Sequence, residues 1–392
     1  MKKTISILGS TGSIGLSALK IIDKKRKMFK INLLSANKNF QLISNQIKKY
    51  KPKIFIINDQ KVFKKTLKKF KNRNGLKILS GFDFLNLKKK SDITISAIPG
   101  IAGLRPTIEM ISFSKKILIA NKEAIICGWN LIKRKSEKYK TSLIPIDSEH
   151  YSILRLLENH NLKQIKKVYI TASGGPFLKL KLSKFKNIKP KDALKHPKWK
   201  MGKKVSIDSA TLMNKILELI EAQKLFKLKN NQLDILIHPE SLVHAIVQFN
   251  NGITKFIYHD TSMIIPLANA MIHGNFNINE FLKIKRSKNK YIENLTFEKV
   301  NKNIFPIIKL KKRINEYPST SIIINASNEI LVDQFLSKNL PFLAINKIIL
   351  AILKDRNYKN YAIRKPNNLK QINIVDKWAR NTTLKKIKSY AF

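Results

Sequence analysis

The chain has 392 residues, enough for two or three domains with a substantial core, and its 43% hydrophobic content is ordinary for a globular protein. Its formal net charge is +52, yet lysines run from Lys2 to Lys388 mostly singly or in pairs between apolar residues, and no basic stripe with interleaved aromatics argues for nucleic acid. The single Cys127 excludes an internal disulfide framework and a cysteine-rich metal site, and no apolar run approaches the ~20 residues that span a bilayer. Asn and Ile, which share A/T-rich codons with Lys, recur throughout, so the charge reads as lysine spread over solvated faces. Gly9 interrupts the N-terminal run before an export segment forms, and the expectation is a cytoplasmic protein with neither nucleic-acid nor membrane partners.

Residues 4–8 read as a strand, followed by Gly9-Ser10-Thr11-Gly12-Ser13-Ile14-Gly15 and a helical pattern through Leu19 and Ile22. Strand, glycine-rich turn and helix in this order make a dinucleotide fingerprint. The glycines let the backbone approach a pyrophosphate, and the helix N-terminus supplies N–H groups. The next strand, 31–36, ends in Asn37-Lys38-Asn39, with no acid between Asp23 and Asp59 to bind a ribose 2′-hydroxyl. Lys38 could instead neutralise a 2′-phosphate, which favours NADPH. Strands at 54–57, 78–79, 93–97 and 117–120 continue the alternation, so the fold class is α/β with an N-terminal doubly wound, Rossmann-type domain over 1–147. Asn121-Lys122-Glu123 falls at its ligand-binding carboxyl edge, and Cys127 reads as packed.

The approach 143–146 reads as a buried strand running into Asp147-Ser148-Glu149-His150. Strand alternation would point Asp147 and Glu149 the same way, and two such carboxylates suit a hard cation such as Mg²⁺ or Mn²⁺. From Tyr151 the periodicity changes to an α+β catalytic and dimerisation domain over 148–270. A strand at 168–171 enters Ser173-Gly174-Gly175-Pro176-Phe177, and a polar flap over about 173–202 carries Trp199 and Met201, which could close over a ligand. Residues 207–221 read as one helix, on which Asn214, Lys215 and Glu218 share a face. A phosphate would satisfy Ser209, Asn214 and Lys215, with Glu218 completing the metal site; an internal Lys–Glu pair is the alternative. An antiparallel-looking section follows, with His238 and His244 read as structural. A linker at 271–297 and a helical C-terminal domain at 298–392 complete the chain.

The glycine-rich turn, Ala120-Asn121-Lys122-Glu123, Asp147-Ser148-Glu149-His150, Ser173-Gly174-Gly175-Pro176-Phe177, His196-Pro197 with Trp199-Lys200-Met201-Gly202, and Asp208-Ser209-Ala210-Thr211 with Met213-Asn214-Lys215 occur in this order. Together with His238-Pro239 and Asn325-Ala326, the set resembles the 1-deoxy-D-xylulose 5-phosphate reductoisomerases over essentially the whole chain. The resemblance implies that Thr11, Gly12, Ser13 and Ile14 hold the NADPH pyrophosphate, with Lys38, Asn39, Asn121, Glu123 and Gly202 also at the cofactor. It implies that Asp147, Glu149 and Glu218 bind the cation (Mg²⁺, Mn²⁺ or Co²⁺), with Lys215 and Glu149 catalytic. Lys122, Ser148, Glu149, Ser173, His196, Trp199, Ser209, Asn214, Lys215 and Glu218 would meet the sugar phosphate, and a homodimer is expected. Asn37, Lys198 and Ile216 depart from the family pattern, Ile216 replacing a usual glycine. Two rival readings are another NADPH oxidoreductase, such as a semialdehyde or sugar-phosphate dehydrogenase, and a nucleic-acid binder. Neither gives the three acids a reason to meet.

Overall fold

The computed structural model describes residues 2–82, 89–199, 201–272, 274–282 and 294–390. They form two compact units. The first takes the chain up to Ala124, Asn130–Asp147 and the segment from Met263; the second takes Ile125–Trp129, Ser148–Ser262 and the described C-terminal residues.

The first unit is built on a seven-stranded sheet of β1 (Lys3–Leu8), β2 (Phe29–Ala36), β3 (Ile54–Ile57), β4 (Lys77–Leu79), β5 (Ser91–Ser96), β6 (Ser114–Ile119) and β7 (Ser142–Pro145). Every pairing is parallel, in the order β4-β3-β2-β1-β5-β6-β7. Helices α1 (Ser13–Lys24), α2 (Phe40–Tyr50), α3 (Gln60–Lys69), α4 (Leu104–Ile111) and α5 (Lys122–Tyr139) provide the crossovers. Burial on both faces explains the near-continuous apolar strands, all four residues of β3 being buried. Buried hydroxyls in this sheet bond one another: Ser6 with Ser91 at 2.7 Å and Thr94 with Ser114 at 2.6 Å. The strand order reverses at β1/β5, the topological switch point where such folds take ligands.

The second unit carries a five-stranded mixed sheet, β11-β10-β8-β9-β12. Its strands are β8 (Ile165–Ala172), β9 (Leu233–Ile237), β10 (Val243–Phe249), β11 (Thr254–Tyr258) and β12 (Glu298–Lys299); β8 and β9 run parallel and the other neighbours antiparallel. Helix α6 (Ser148–Leu157) packs on β10, while α7 (Pro190–Ala193), α8 (Lys203–Ala210) and α9 (Met213–Phe226) make the crossover from β8 to β9. Helix α10 (Ile264–Met271) packs on α1 in the first unit. The C-terminal helices are α11 (Thr320–Leu336), α12 (Phe342–Ile352), α13 (Tyr358–Ala362) and α14 (Leu369–Lys388). α11 packs against α8, α12 and α14, so the C-terminal helices share a unit with the central segment.

Two expectations change, while His273 and 283–293 of the linker expected at 271–297 lie outside the described residues. Glu149 stands in the first turn of α6, not on a strand, because β7 ends at Pro145. The single helix expected over 207–221 is two: Leu212 adopts φ 64°, a left-handed conformation that stops α8 and restarts the chain as α9.

Candidate active site

In the first unit, the turn after β1 needs glycine at two places. Gly9 has φ +83°, and a Cβ there would stand 2.7 Å from the Ala97 carbonyl oxygen; a Cβ on Gly15 would stand 2.4 Å from the Gly9 carbonyl oxygen. The turn delivers Thr11, Gly12, Ser13 and Ile14 to the start of α1. No side chain caps that helix, so its first N–H groups are available to a phosphate. Asn37, Lys38 and Asn39 are exposed at the end of β2, and Asn39 also caps α2 through the Leu42 N–H at 3.0 Å.

At the start of α5, Asn121 is buried and its side chain is committed to structure. Its Oδ1 accepts from the Ala124 N–H at 3.0 Å, and its Nδ2 donates to the carbonyls of Ile98 and Gly100. This clip holds the loop after β5 against α5. Glu123, also buried, stands in the first helical turn beside it. Lys122 pairs with Asp147 at 2.7 Å, which joins the α5 start to the end of β7.

In the second unit, α6 and α9 bring Glu149, Asn214, Lys215 and Glu218 together. The buried Lys215 Nζ donates to a carboxylate oxygen of Glu149 and, at 2.7 Å, to Glu218. Glu149 and Glu218 offer carboxylate oxygens within 4.8 Å of one another. The Ser148 hydroxyl donates to Glu149 at 2.6 Å, and Asn214 donates to Glu218. Burial opposes the charge on Lys215, but the Glu149 and Glu218 carboxylates outweigh it and hold the ammonium above the ordinary lysine pKa. An all-oxygen donor pair already converging on a cation fits a hard divalent ion.

The loop after β8 adds Ser173. Its Oγ accepts the Gly175 N–H at 3.1 Å and lies 3.0 Å from His196 Nε2. His196 Nδ1 accepts from the backbone N–H of Trp199 at 2.9 Å and of Lys198 at 3.2 Å. Burial, with the Lys215 charge adding to it, pushes His196 down to about 4, so the ring is neutral at pH 7. A neutral ring that accepts at Nδ1 carries its proton on Nε2 and donates it to Ser173. The Ser173 oxygen then accepts twice, and its own hydrogen is directed to a third partner. Gly175 (φ +65°) lets this loop lie against the end of α8, since a Cβ would be 2.9 Å from the Ser209 carbonyl oxygen. Ser209 is half-buried on α8, and exposed Gly202 caps that helix through its backbone. Trp199 is half-buried; Lys200 lies outside the described residues.

Ile216 is fully buried, so its side chain joins the core; Lys198 and Asn37 are exposed. The sequence reading assigned no role to two buried pairs, His150–Glu221 and Asp208–Asn328, that fasten the centre. His150 Nε2 donates to the Glu218 carbonyl at 3.0 Å and Nδ1 lies 3.3 Å from Glu221, tying α6 to α9. Asp208 accepts from Lys204 and Asn328, each at 2.7 Å, tying α8 to α11. The i,i+3 spacing of Glu218 and Glu221 was the available signal for the first. His238 and Cys127 are structural and buried as expected; His238 Nε2 accepts the Leu242 and Val243 N–H groups.

A family model described as 1-deoxy-D-xylulose 5-phosphate reductoisomerase matches residues 5–128, and models of the C-terminal domains of the same enzyme match 143–226 and 260–382. The chain is 47% identical over 375 residues to the 1-deoxy-D-xylulose 5-phosphate reductoisomerase of Pelagibacter ubique (strain HTCC1062), covering 94% of this chain and 96% of that protein. It is 39% identical to that of Wolbachia pipientis subsp. Culex pipiens (strain wPip), covering 92% of each. Among solved structures, DOX-P reductoisomerase in complex with NADPH, fosmidomycin and magnesium superposes with a TM-score of 0.88 at 30% identity over 98% of both chains. The Zymomonas mobilis enzyme in complex with NADPH gives 0.84 at 29% over all of both chains. The parallel sheet with its glycine turn, and the buried acidic centre around a lysine, belong to an NADP-dependent oxidoreductase that also uses a metal ion. The chain belongs to the 1-deoxy-D-xylulose 5-phosphate reductoisomerase family.

Proposed function

We propose that this chain converts 1-deoxy-D-xylulose 5-phosphate to 2-C-methyl-D-erythritol 4-phosphate, and that Glu149, Lys215 and Glu218 are the centre of the reaction. The observation that carries this assignment is the convergence of two buried carboxylates on one ammonium in a chain of this family. When bound, the divalent cation supplies Lewis acidity to the substrate's ketone and adjacent hydroxyl, and NADPH supplies the hydride. Glu149 and Glu218 would hold the cation, with Asp147, two residues before Glu149 in the chain, as the third carboxylate. Lys215 would face the substrate, where its ammonium neutralises negative charge on oxygen and orients the reacting groups. Ser148 fixes the Glu149 carboxylate. Ser173 donates its remaining hydrogen to the phosphate, beside neutral His196, Ser209 and Asn214. Trp199 covers the substrate and excludes water. Lys122 orients the substrate through its pair with Asp147, and Thr11, Gly12, Ser13, Ile14, Lys38, Asn39, Asn121, Glu123 and Gly202 serve the cofactor.

The chain acts as a homodimer in the cytoplasm. A groove of about 560 Å³ on the five-stranded sheet, lined by Tyr169, Ile246, Phe256 and Phe297 with Phe256 48% exposed, supports a second copy there. A monomer in sedimentation at micromolar concentration would contradict this. No described helix is long and apolar enough to cross a membrane.

The test of the activity is oxidation of NADPH in the presence of 1-deoxy-D-xylulose 5-phosphate, after chelation and again with Mg²⁺ or Mn²⁺ restored. Turnover only with the cation is expected. Undiminished turnover after chelation would favour an ordinary sugar-phosphate dehydrogenase, and no turnover under any condition would overturn the assignment.

A further inference from the structure

Behind Trp199 stands an aromatic array that the reaction itself does not require. The Trp199 and His244 rings meet edge to face, with centroids 5.9 Å apart and planes at 73°. His244 also stacks on His259 at 3.9 Å and 21°. Both imidazoles are held by backbone carbonyls, which only accept. His244 Nε2 therefore donates to the His259 carbonyl at 3.2 Å, and His259 Nδ1 donates to the Asp260 carbonyl at 2.8 Å. The His259 N–H, in turn, donates to the Leu242 carbonyl at 2.9 Å, which extends the β10–β11 pairing to the stacked residue.

Two stacked imidazolium ions would repel at this distance, so the arrangement disfavours both rings being charged at once. Burial lowers the His259 pKa, against the opposing pull of the Asp260 carbonyl and the Glu149 and Asp260 charges. With Nδ1 protonated, neutral His259 has only a lone pair on Nε2, and that buried atom meets no partner among the described residues. The hydrogen-bonding capacity of the ring is thus half used, while its face is fully engaged. The contact that the fold has built is the face.

We infer that His259 is a positioning residue: its ring is the support under His244, and through that ring it sets where Trp199 stands. Its consequence for turnover rests on the reading that Trp199 covers the substrate. Stacked aromatic pairs contribute energies equivalent to about two- to tenfold in an equilibrium, so the expected effect is modest and specific.

The experiment uses the full-length protein with Trp129 and Trp378 replaced by Phe, so that emission reports Trp199 alone. His259→Leu keeps the volume and removes the aromatic face. It should shift Trp199 emission, raise its quenching by acrylamide, and raise KM for the sugar phosphate about three- to tenfold with a smaller change in kcat. His259→Phe should restore all three. Unchanged Trp199 emission and quenching in His259→Leu would overturn the inference. So would His259→Phe behaving like His259→Leu, which would transfer the role to the Nε2 lone pair. A changed emission with unchanged KM would uphold the array and overturn instead the placement of Trp199 over the substrate.

Discussion

The two units were written in different physical languages. The first is a repeating alternation in which each strand is buried on both faces, and its function is carried by backbone: a glycine turn and the bare start of α1. The second carries its candidate site on side chains that α6 and α9 bring together from two separate segments. A backbone site tolerates changes of surface residues but not an added methyl group at a close approach. A side-chain site depends on charges that compensate one another in a buried place.

The largest expected effect falls on the second kind of site. Glu149→Gln keeps the shape of the side chain and removes the charge that faces Lys215 and the cation. Turnover should fall by about 10³-fold or more with the circular dichroism spectrum unchanged. Near-normal turnover in excess Mg²⁺ would defeat the assignment of Glu149.

The first unit can be challenged at Gly15. Its missing Cβ would meet backbone atoms at 2.4 and 2.6 Å, neighbours that cannot rotate away, so Gly15→Ala should cost about 3 kcal/mol and abolish NADPH binding. Gly12→Ala, whose nearest such neighbour is at 3.4 Å, should be far milder. Equal effects on NADPH affinity by titration calorimetry would show that close packing is not what the turn requires.

A smaller effect is expected at the far end of α9. Lys224 keeps some exposure along its stem, but its ammonium is enclosed and meets the Ile126 carbonyl at 2.8 Å and Ser321 Oγ at 3.3 Å. It serves a carbonyl near Gly128, where α5 departs from helical geometry (φ −128°). Burial lowers this lysine from 10.5 to about 8. Between those values the unfolded chain binds more protons than the folded one, so the wild type gains stability as pH rises from about 8 to 10.5. Lys224→Met should therefore be more stable by about 1–3 kcal/mol at pH 7, with the difference shrinking toward pH 10 in urea unfolding. A variant less stable at both values would mean that the ammonium is a net support for the carbonyl.

The parallel domain was legible because both its signals are local: apolar runs of strand length and a glycine spacing within seven residues. The side-chain centre was legible in its membership and less so in its geometry. Residues 143–146 suggested a strand continuing through Glu149, but the chain turns after Pro145 and Glu149 reaches its place from a helix. The apolar spacing from Ile207 to Glu221 looks like one helix because periodicity does not register a single left-handed residue, here Leu212. The side chain of Asn121 also fastens a loop that only the folded chain brings beside it, a contact that sequence spacing does not mark. Beyond the i,i+3 spacing of Glu218 and Glu221, nothing local marks the pairing of His150 with Glu221 or of Asp208 with Asn328, partners that the fold collects from distant segments.

The central claim is that Lys215 occupies, between Glu149 and Glu218, the place that a divalent cation takes. Binding of Mn²⁺ to the substrate-free protein, followed by electron paramagnetic resonance, tests it directly in wild type and Lys215→Met. Removing the competing ammonium should tighten Mn²⁺ binding at least about tenfold while turnover is lost. Binding that is unchanged or weaker in Lys215→Met would contradict the account, because the lysine and the metal would then not share those carboxylates.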